Sequence, residues 1–157
     1  MKILISSCIC GNNVRWNSSN KLSQEIVEWA DRVGIELVPV CPEHELFGTP
    51  RKPIRLQHLD GKVVASMGAD DVFHQLEKKS QEIHSRHPDA VGFIGIARSP
   101  TCGIAVGVRK LGRTIKAPMH SAADFPTIEI NSLKTPRDRT IFLDRVVKHF
   151  SFKALKQ

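Results

Sequence analysis

No stretch of this sequence approaches the roughly 20 consecutive apolar residues that a membrane helix requires, so no membrane span is expected. The opening MKILISSCICG carries one lysine and a short apolar run, then passes directly into Asn, Arg and Trp. It lacks the longer apolar region and the cleavage pattern of a secretory signal. The expected setting is therefore cytoplasmic and reducing. There is also no internal repeat at a period of about 20 to 50 residues and no low-complexity tract, which excludes solenoids and tail-like segments. In a reducing compartment the four cysteines point to metal binding or thiol chemistry rather than to a disulfide framework.

What is there is an ordinary globular composition. The chain has 157 residues, 41% of them hydrophobic and 25% charged, enough to bury one core and too few for two large ones. One domain over 1–157 is expected, with an α/β core at 1–108 and a C-terminal extension at 109–157 whose helix packs on that core. The formal charge of +7 and the pI near 9.5 favour contact with something anionic. The basic residues of the last third, among them Arg109, Lys110, Arg113, Lys116, Arg137 and Lys148, alternate with acids and apolar residues. That interleaving reads as a solvated basic face before it reads as a nucleic-acid surface.

Hydrophobic periodicity gives the order of elements. Residues 2–6 (KILIS) and 90–96 (AVGFIGI) are short apolar runs, as in strands buried on both faces of a parallel sheet, and 35–40 (IELVPV) is a third such run. Between the first two strands in the chain, Ile26, Val27, Ala30 and Val33 fall at helical spacing, with Ser23 as N-cap and Gly34 as the stop. Residues 41–59, interrupted by Pro42, Gly48, Pro50 and Pro53, read as a long surface loop. A short strand at 62–65 follows, then a helix opening at Asp70 or Asp71 and running to about Arg86. One further strand pair, or a strand and turn, is expected within 104–116. The last helix spans about 137–150, with Thr135-Pro136 at its start.

Strand, helix, strand, helix, strand is the plan of a small Rossmann-like, open and mostly parallel sheet with flanking helices. In such a sheet every parallel strand ends at the same edge, where ligands bind. Cys8 follows the first strand, Cys41 the second, and Cys102 lies in the loop after the strand at 90–96. Three thiols far apart in sequence are thus expected to meet at the carboxyl ends of the strands.

Several chemistries could use them. A four-cysteine zinc site including Cys10 lacks the usual Cys-x-x-Cys knuckles. A phosphatase loop fails on spacing, because Cys8 and Arg15 have six residues between them and Cys10 and Arg15 four, and the loop's requirement lies between the two. A Cys8/Cys10 redox pair leaves Cys41 and Cys102 unused. Three thiolates with one open position suit an iron–sulfur cluster with one iron left free for a substrate.

Three motifs then carry a resemblance. Ser7-Cys8 with Gly11, Val14-Arg15 and Asn20-Lys21 is the first. Pro39-Val40-Cys41-Pro42-Glu43 with Thr49-Pro50-Arg51 is the second, and Arg98-Ser99-Pro100-Thr101-Cys102-Gly103 is the third. In this order and spacing, over roughly residues 2–108, they resemble the thiouracil desulfidase family. The resemblance implies a [4Fe-4S] cluster held by Cys8, Cys41 and Cys102 with one iron open. It also implies removal of sulfur from a small thiolated pyrimidine, 2-thiouracil giving uracil and hydrogen sulfide by C–S bond hydrolysis without net redox. By motif, Glu43 would act as acid/base or position the water, and Ser99 would contribute a hydrogen bond or proton relay. Arg15, Trp16, Asn20, Arg51 and Thr101 are the candidate substrate-binding residues. The chain departs from the usual family pattern at Cys10, Trp16 and Thr101, where an aliphatic residue, Tyr and Ser are commoner. The competing expectation is an RNA- or nucleotide-binding module in which the cysteines hold a structural metal.

Overall fold

A computed structural model describes residues 1–155; Lys156 and Gln157, the end of the expected extension, lie outside the described residues. The centre of the fold is a four-stranded parallel sheet in the order β2-β1-β6-β9. Its strands are β1 (Lys2–Ser6), β2 (Glu36–Val40), β6 (Ala90–Gly95) and β9 (Thr127–Glu129). In β1, Ile3 and Ile5 point to one face and Leu4 to the other, and all three are fully buried. That accounts for the uninterrupted apolar run, since a strand covered on both sides gains by carrying no polar alternation. Pro39 is tolerated because β2 is an edge strand that need not donate outward.

Helices cover both faces. On one, α1 (Gln24–Arg32) and α5 (Pro136–Ala154) bring Ile26, Trp29, Ala30, Phe142 and Val146 against Ile3, Ile5, Val91 and Ile94. On the other, Ile83 of α3 (Phe73–Arg86) and Met119 of α4 (Pro118–Ser121) pack on Leu4, Val40, Ala90 and Phe93. Arg139 of α5, itself buried, ion-pairs with Glu25 of α1 and donates to the carbonyl oxygens of Leu133 and Lys134, fastening the last helix to the first. Thr135 and Asp138 form a reciprocal capping box at the start of α5, with Pro136 as its first residue.

Three expectations are corrected. Residues 41–59 are not a loop. Pro42 opens a short helix, α2 (Pro42–Phe47), because proline is preorganised for a first helical turn, and Ile54–Leu59 is strand β3. Next, β3 pairs antiparallel with β4 (Lys62–Met67), which pairs with β5 (Asp70–Asp71), so the two aspartates expected to open a helix are in a strand. Asp71 uses its carboxylate to accept from the backbone N–H groups of Ala65 and Phe73, and α3 begins only at Phe73. Finally, the main sheet has a fourth parallel strand, β9, in the segment expected to extend the core. The strand pair expected in 104–116 is present as β7 (Val106–Gly107) and β8 (Thr114–Ile115). The β3–β5 sheet has its own core of Ile54, Leu56, Ala65, Val72 and Leu76, joined by Val106, Val108 and Ala117. Among the described residues no helix is long and apolar enough to cross a membrane.

Candidate metal centre at the carboxyl edge

The carboxyl ends of the four parallel strands open into one cavity of about 560 Å³. β1 leads into a 3-10 turn, Ser7–Cys10, that carries Cys8. Gly11 ends that turn at φ 88°, a conformation glycine takes without steric cost, and its N–H donates to the Cys8 carbonyl. Cys41 directly follows β2 and is the N-cap of α2, its sulfur accepting the His44 N–H at 3.4 Å. Cys102 lies in the loop after β6. All three sulfurs are free thiols, and all three residues line the cavity. Cys10, two positions from Cys8, is absent from the lining and packs instead against the core beneath α1.

The same cavity is lined by a polar group that includes Glu43, two positions after Cys41, and Thr101, the residue before Cys102. Glu43 accepts from Arg51 Nη2 at 2.9 Å and Nε at 3.2 Å, and its other oxygen accepts from the Thr101 hydroxyl at 2.7 Å. This pair is well buried, with side-chain exposures of 12% for Glu43 and 5% for Arg51. Arg51 Nη1 donates to the carbonyl oxygens of Val14 and Gly48 and to the Thr49 hydroxyl oxygen. Arg51 therefore fixes the carboxylate and ties together the loops after β1 and β2. The Ser99 hydroxyl oxygen accepts the N–H groups of Thr101 (3.2 Å) and Cys102 (3.0 Å), leaving its own proton free to donate.

Of the other expected site residues, Arg15 and Trp16 line the cavity, Trp16 remaining 44% exposed at its mouth. Asn20 does not line it: its amide donates to Asn13 and accepts from the Leu22 N–H, which spends the side chain inside its own loop. The lining also includes Lys21, Arg55, Arg98 and Asn131, none of them a candidate from the sequence. Lys21 and Arg98 lie inside the quoted motifs, whereas Arg55 and Asn131 carried no local signal because β3 and β9 bring them to the edge. Arg98 is held at φ 62°, a backbone conformation that side chains other than glycine seldom take and that clusters at functional sites. Arg15, Lys21, Arg55 and Arg98 take part in none of the ion pairs found among the described residues.

Burial dominates the electrostatics of the thiols. It pushes Cys8 up to about 11, with the neighbouring Cys41 adding to the shift and Arg15 opposing it. It also raises Cys41 and carries Cys102 well above the ordinary thiol range. Such thiols are protonated near neutrality unless a cation replaces the proton, which is how a metal group is held by cysteine. No three His, Cys, Asp or Glu side chains among the described residues are grouped as ligands of a metal ion. Three soft donors spread around a roomy cavity fit a polynuclear iron–sulfur group, which spans more space than one ion and prefers thiolate.

The sequence profile of the 2-thiouracil desulfurase family matches residues 3–118. The chain belongs to that family. YbbK of Bacillus subtilis, an uncharacterized protein, is 28% identical over 148 residues, covering 83% of this chain and 97% of its own. The structure of the [4Fe-4S]-dependent thiouracil desulfidase TudS superposes with a TM-score of 0.67 at 18% identity, over 84% of this chain and 92% of that one. At that identity the likeness concerns the fold, a parallel four-stranded sheet flanked by helices. The family match ends at residue 118, so β9, α5 and most of α4 lie beyond it.

Proposed function

We propose that this chain is an iron–sulfur-dependent desulfidase that hydrolyses the C–S bond of a thiolated pyrimidine, on a small Rossmann-like fold. The observation that carries the proposal is that Cys8, Cys41 and Cys102 line one cavity together with the hydrogen-bonded Glu43–Arg51–Thr101 group. In this reading the three thiolates hold a [4Fe-4S] cluster and leave one iron without a protein ligand. Such a cluster, when bound, supplies a soft Lewis acid for a thiocarbonyl sulfur.

The rest of the chemistry belongs to the chain's own side chains. Trp16 offers an exposed ring face against which a pyrimidine can stack, and Arg15 reaches the same mouth. Glu43, held at both oxygens, keeps lone pairs free to bind a water and take its proton as the water attacks the ring carbon. Thiocarbonyl plus water gives carbonyl plus hydrogen sulfide, so Glu43 returns that proton to the departing sulfide and no electron is gained or lost. Ser99 donates its free hydroxyl proton toward the reacting centre while its oxygen organises the Cys102 loop. The four rim cations that join none of the ion pairs favour a substrate that carries an anionic group beside its thiolated base.

Anaerobic purification with iron and sulfide assays, a visible spectrum and 2-thiouracil turnover tests the proposal. About four irons per chain, lost in Cys8→Ala, Cys41→Ala and Cys102→Ala, kept in Cys10→Ala, and accompanied by sulfide release, is the expected result. Colourless wild-type protein under strict anaerobiosis, or iron lost only with Cys10, would sink it in favour of a binding module with a structural metal.

A further inference from the structure

The three thiol-bearing loops are anchored in different ways. The carbonyl of Cys8 accepts from the Gly11 and Lys21 N–H groups, and that of Cys41 from the Glu45 N–H, all backbone donors. In the third loop the N–H groups of Thr101 and Cys102 go to the Ser99 hydroxyl, and that of Gly103 to the Ser99 carbonyl. The carbonyls of Thr101 and Gly103 are met by the N–H groups of Met119 (3.0 Å) and Ala117 (2.9 Å). Only the Cys102 carbonyl depends on a side chain: His120 Nε2 stands 2.7 Å from it. A carbonyl only accepts, so Nε2 carries the proton in this contact.

The surroundings leave this imidazole little freedom. His120 is 4% exposed, its ring lies 4.9 Å from that of Phe93, and its Nδ1 is buried without a hydrogen-bond partner. Beneath the contact is Gly95, the last residue of β6. A Cβ there would stand 2.0 Å from the Cys102 oxygen and 2.7 Å from His120 Nε2. Its φ is not positive, so glycine is required here by space and not by conformation. A buried polar side chain, a residue without a Cβ and three consecutive satisfied carbonyls converge on Cys102, whose backbone oxygen, unlike those of Cys8 and Cys41, is met by a side chain.

We propose that His120 is a positioning residue for Cys102, fixing that loop before the metal group binds and holding it afterwards. This rests on the cluster reading above. The iron-loaded protein and the apo-protein provide separate tests. His120→Gln places an amide N–H where Nε2 stands, His120→Asn places one where Nδ1 stands, and His120→Leu removes the donor. Loss of iron to a chelator should run about 10-fold faster or more in the Leu and Asn variants, and stay near wild type in the Gln variant. In the anaerobic apo-protein, mass-spectrometric alkylation rates should rise at Cys102 in the Leu and Asn variants, with Cys8 and Cys41 unchanged. Circular dichroism and cooperative unfolding identify any variant that fails to fold, and the Gln–Asn comparison stands if Leu does. Equal behaviour of Gln and Asn, or a Leu variant with wild-type iron retention and Cys102 reactivity, overturns the proposal. Wild-type protein that binds no iron, yet shows the Cys102-selective alkylation change, overturns the cluster reading and leaves the positioning role standing.

Discussion

Glu43 is an unusual carboxylate for this chain, because both of its oxygens are bound by buried partners and still face a cavity. Replacing it by Gln preserves its size and its contact with the Thr101 hydroxyl, and removes the ability to take a proton from water. We expect Glu43→Gln to lower kcat by about 10²- to 10⁴-fold, with iron content unchanged. A Gln variant turning over at the wild-type rate would exclude Glu43 as the base. Its motif neighbours illustrate how residue-level reading works and fails. Glu43 is legible only through the resemblance carried by Pro-Val-Cys-Pro-Glu, since the helix start that Cys41 and Pro42 make beside it reads as loop. No local pattern could announce that Arg51 would be consumed by Glu43, two carbonyls and the Thr49 hydroxyl, or Asn20 by its own loop. Those fates depend on which partners the fold brings within reach.

At the scale of elements, the end of β6 is where space is tightest. Gly95→Ala should push the Cys102 loop away, since an overpacked core costs about 1 to 3 kcal/mol and here the obstacle is backbone. The expected outcome is loss of iron binding in Gly95→Ala. Gly107→Ala, where nothing lies within 4 Å of the new methyl, should load normally. Iron assays on the two purified variants decide the matter. Elements with a continuous apolar run or a strong helical stripe were legible beforehand: β1, β2, β6, α1 and α5. The missed ones share a physical reason. α2 has six residues between Cys41 and Gly48, α4 has four, and β9 has three, each too short for any periodicity to repeat. β3 hid behind prolines that precede it without interrupting its pairing. The convergence of the cysteines was readable because it follows from strand ends alone, whereas Arg55 and Asn131 arrive on elements that gave no such signal.

For the molecule as a whole, one buried histidine, His120, and one half-buried, His84, make stability depend on acidity. His120 is pushed down to about 4, chiefly by burial, against its bond to the Cys102 carbonyl and the attraction of Glu129. His84, stacked near Phe125 and bonded to the Met119 carbonyl, is lowered for the same first reason, with Asp124 opposing and His87 assisting. In the unfolded chain both titrate near 6.5. Between that value and the depressed folded values, the unfolded state binds more protons. Stability is therefore complete above about pH 6.5 and falls as the pH drops toward about 4. His120 alone contributes on the order of 3 kcal/mol to this fall. Urea midpoints of the apo-protein should decrease from neutral pH to about pH 5, and His120→Gln should flatten part of that slope. A midpoint independent of pH across this window would show that neither histidine is buried neutral.

The spacing of the sheet order along the chain also sets a timetable for synthesis. β6 lies beside β1 although some fifty other residues of chain follow β2 before it, and Cys102 comes later still. A growing chain that has exposed Cys8 and Cys41 holds two of the three cavity thiols, at the ends of adjacent strands, and lacks Cys102. His120 and β9 emerge after Cys102 itself. In the proposed cluster reading, an iron–sulfur donor meeting the chain before Cys102 has emerged would find an incomplete set of ligands.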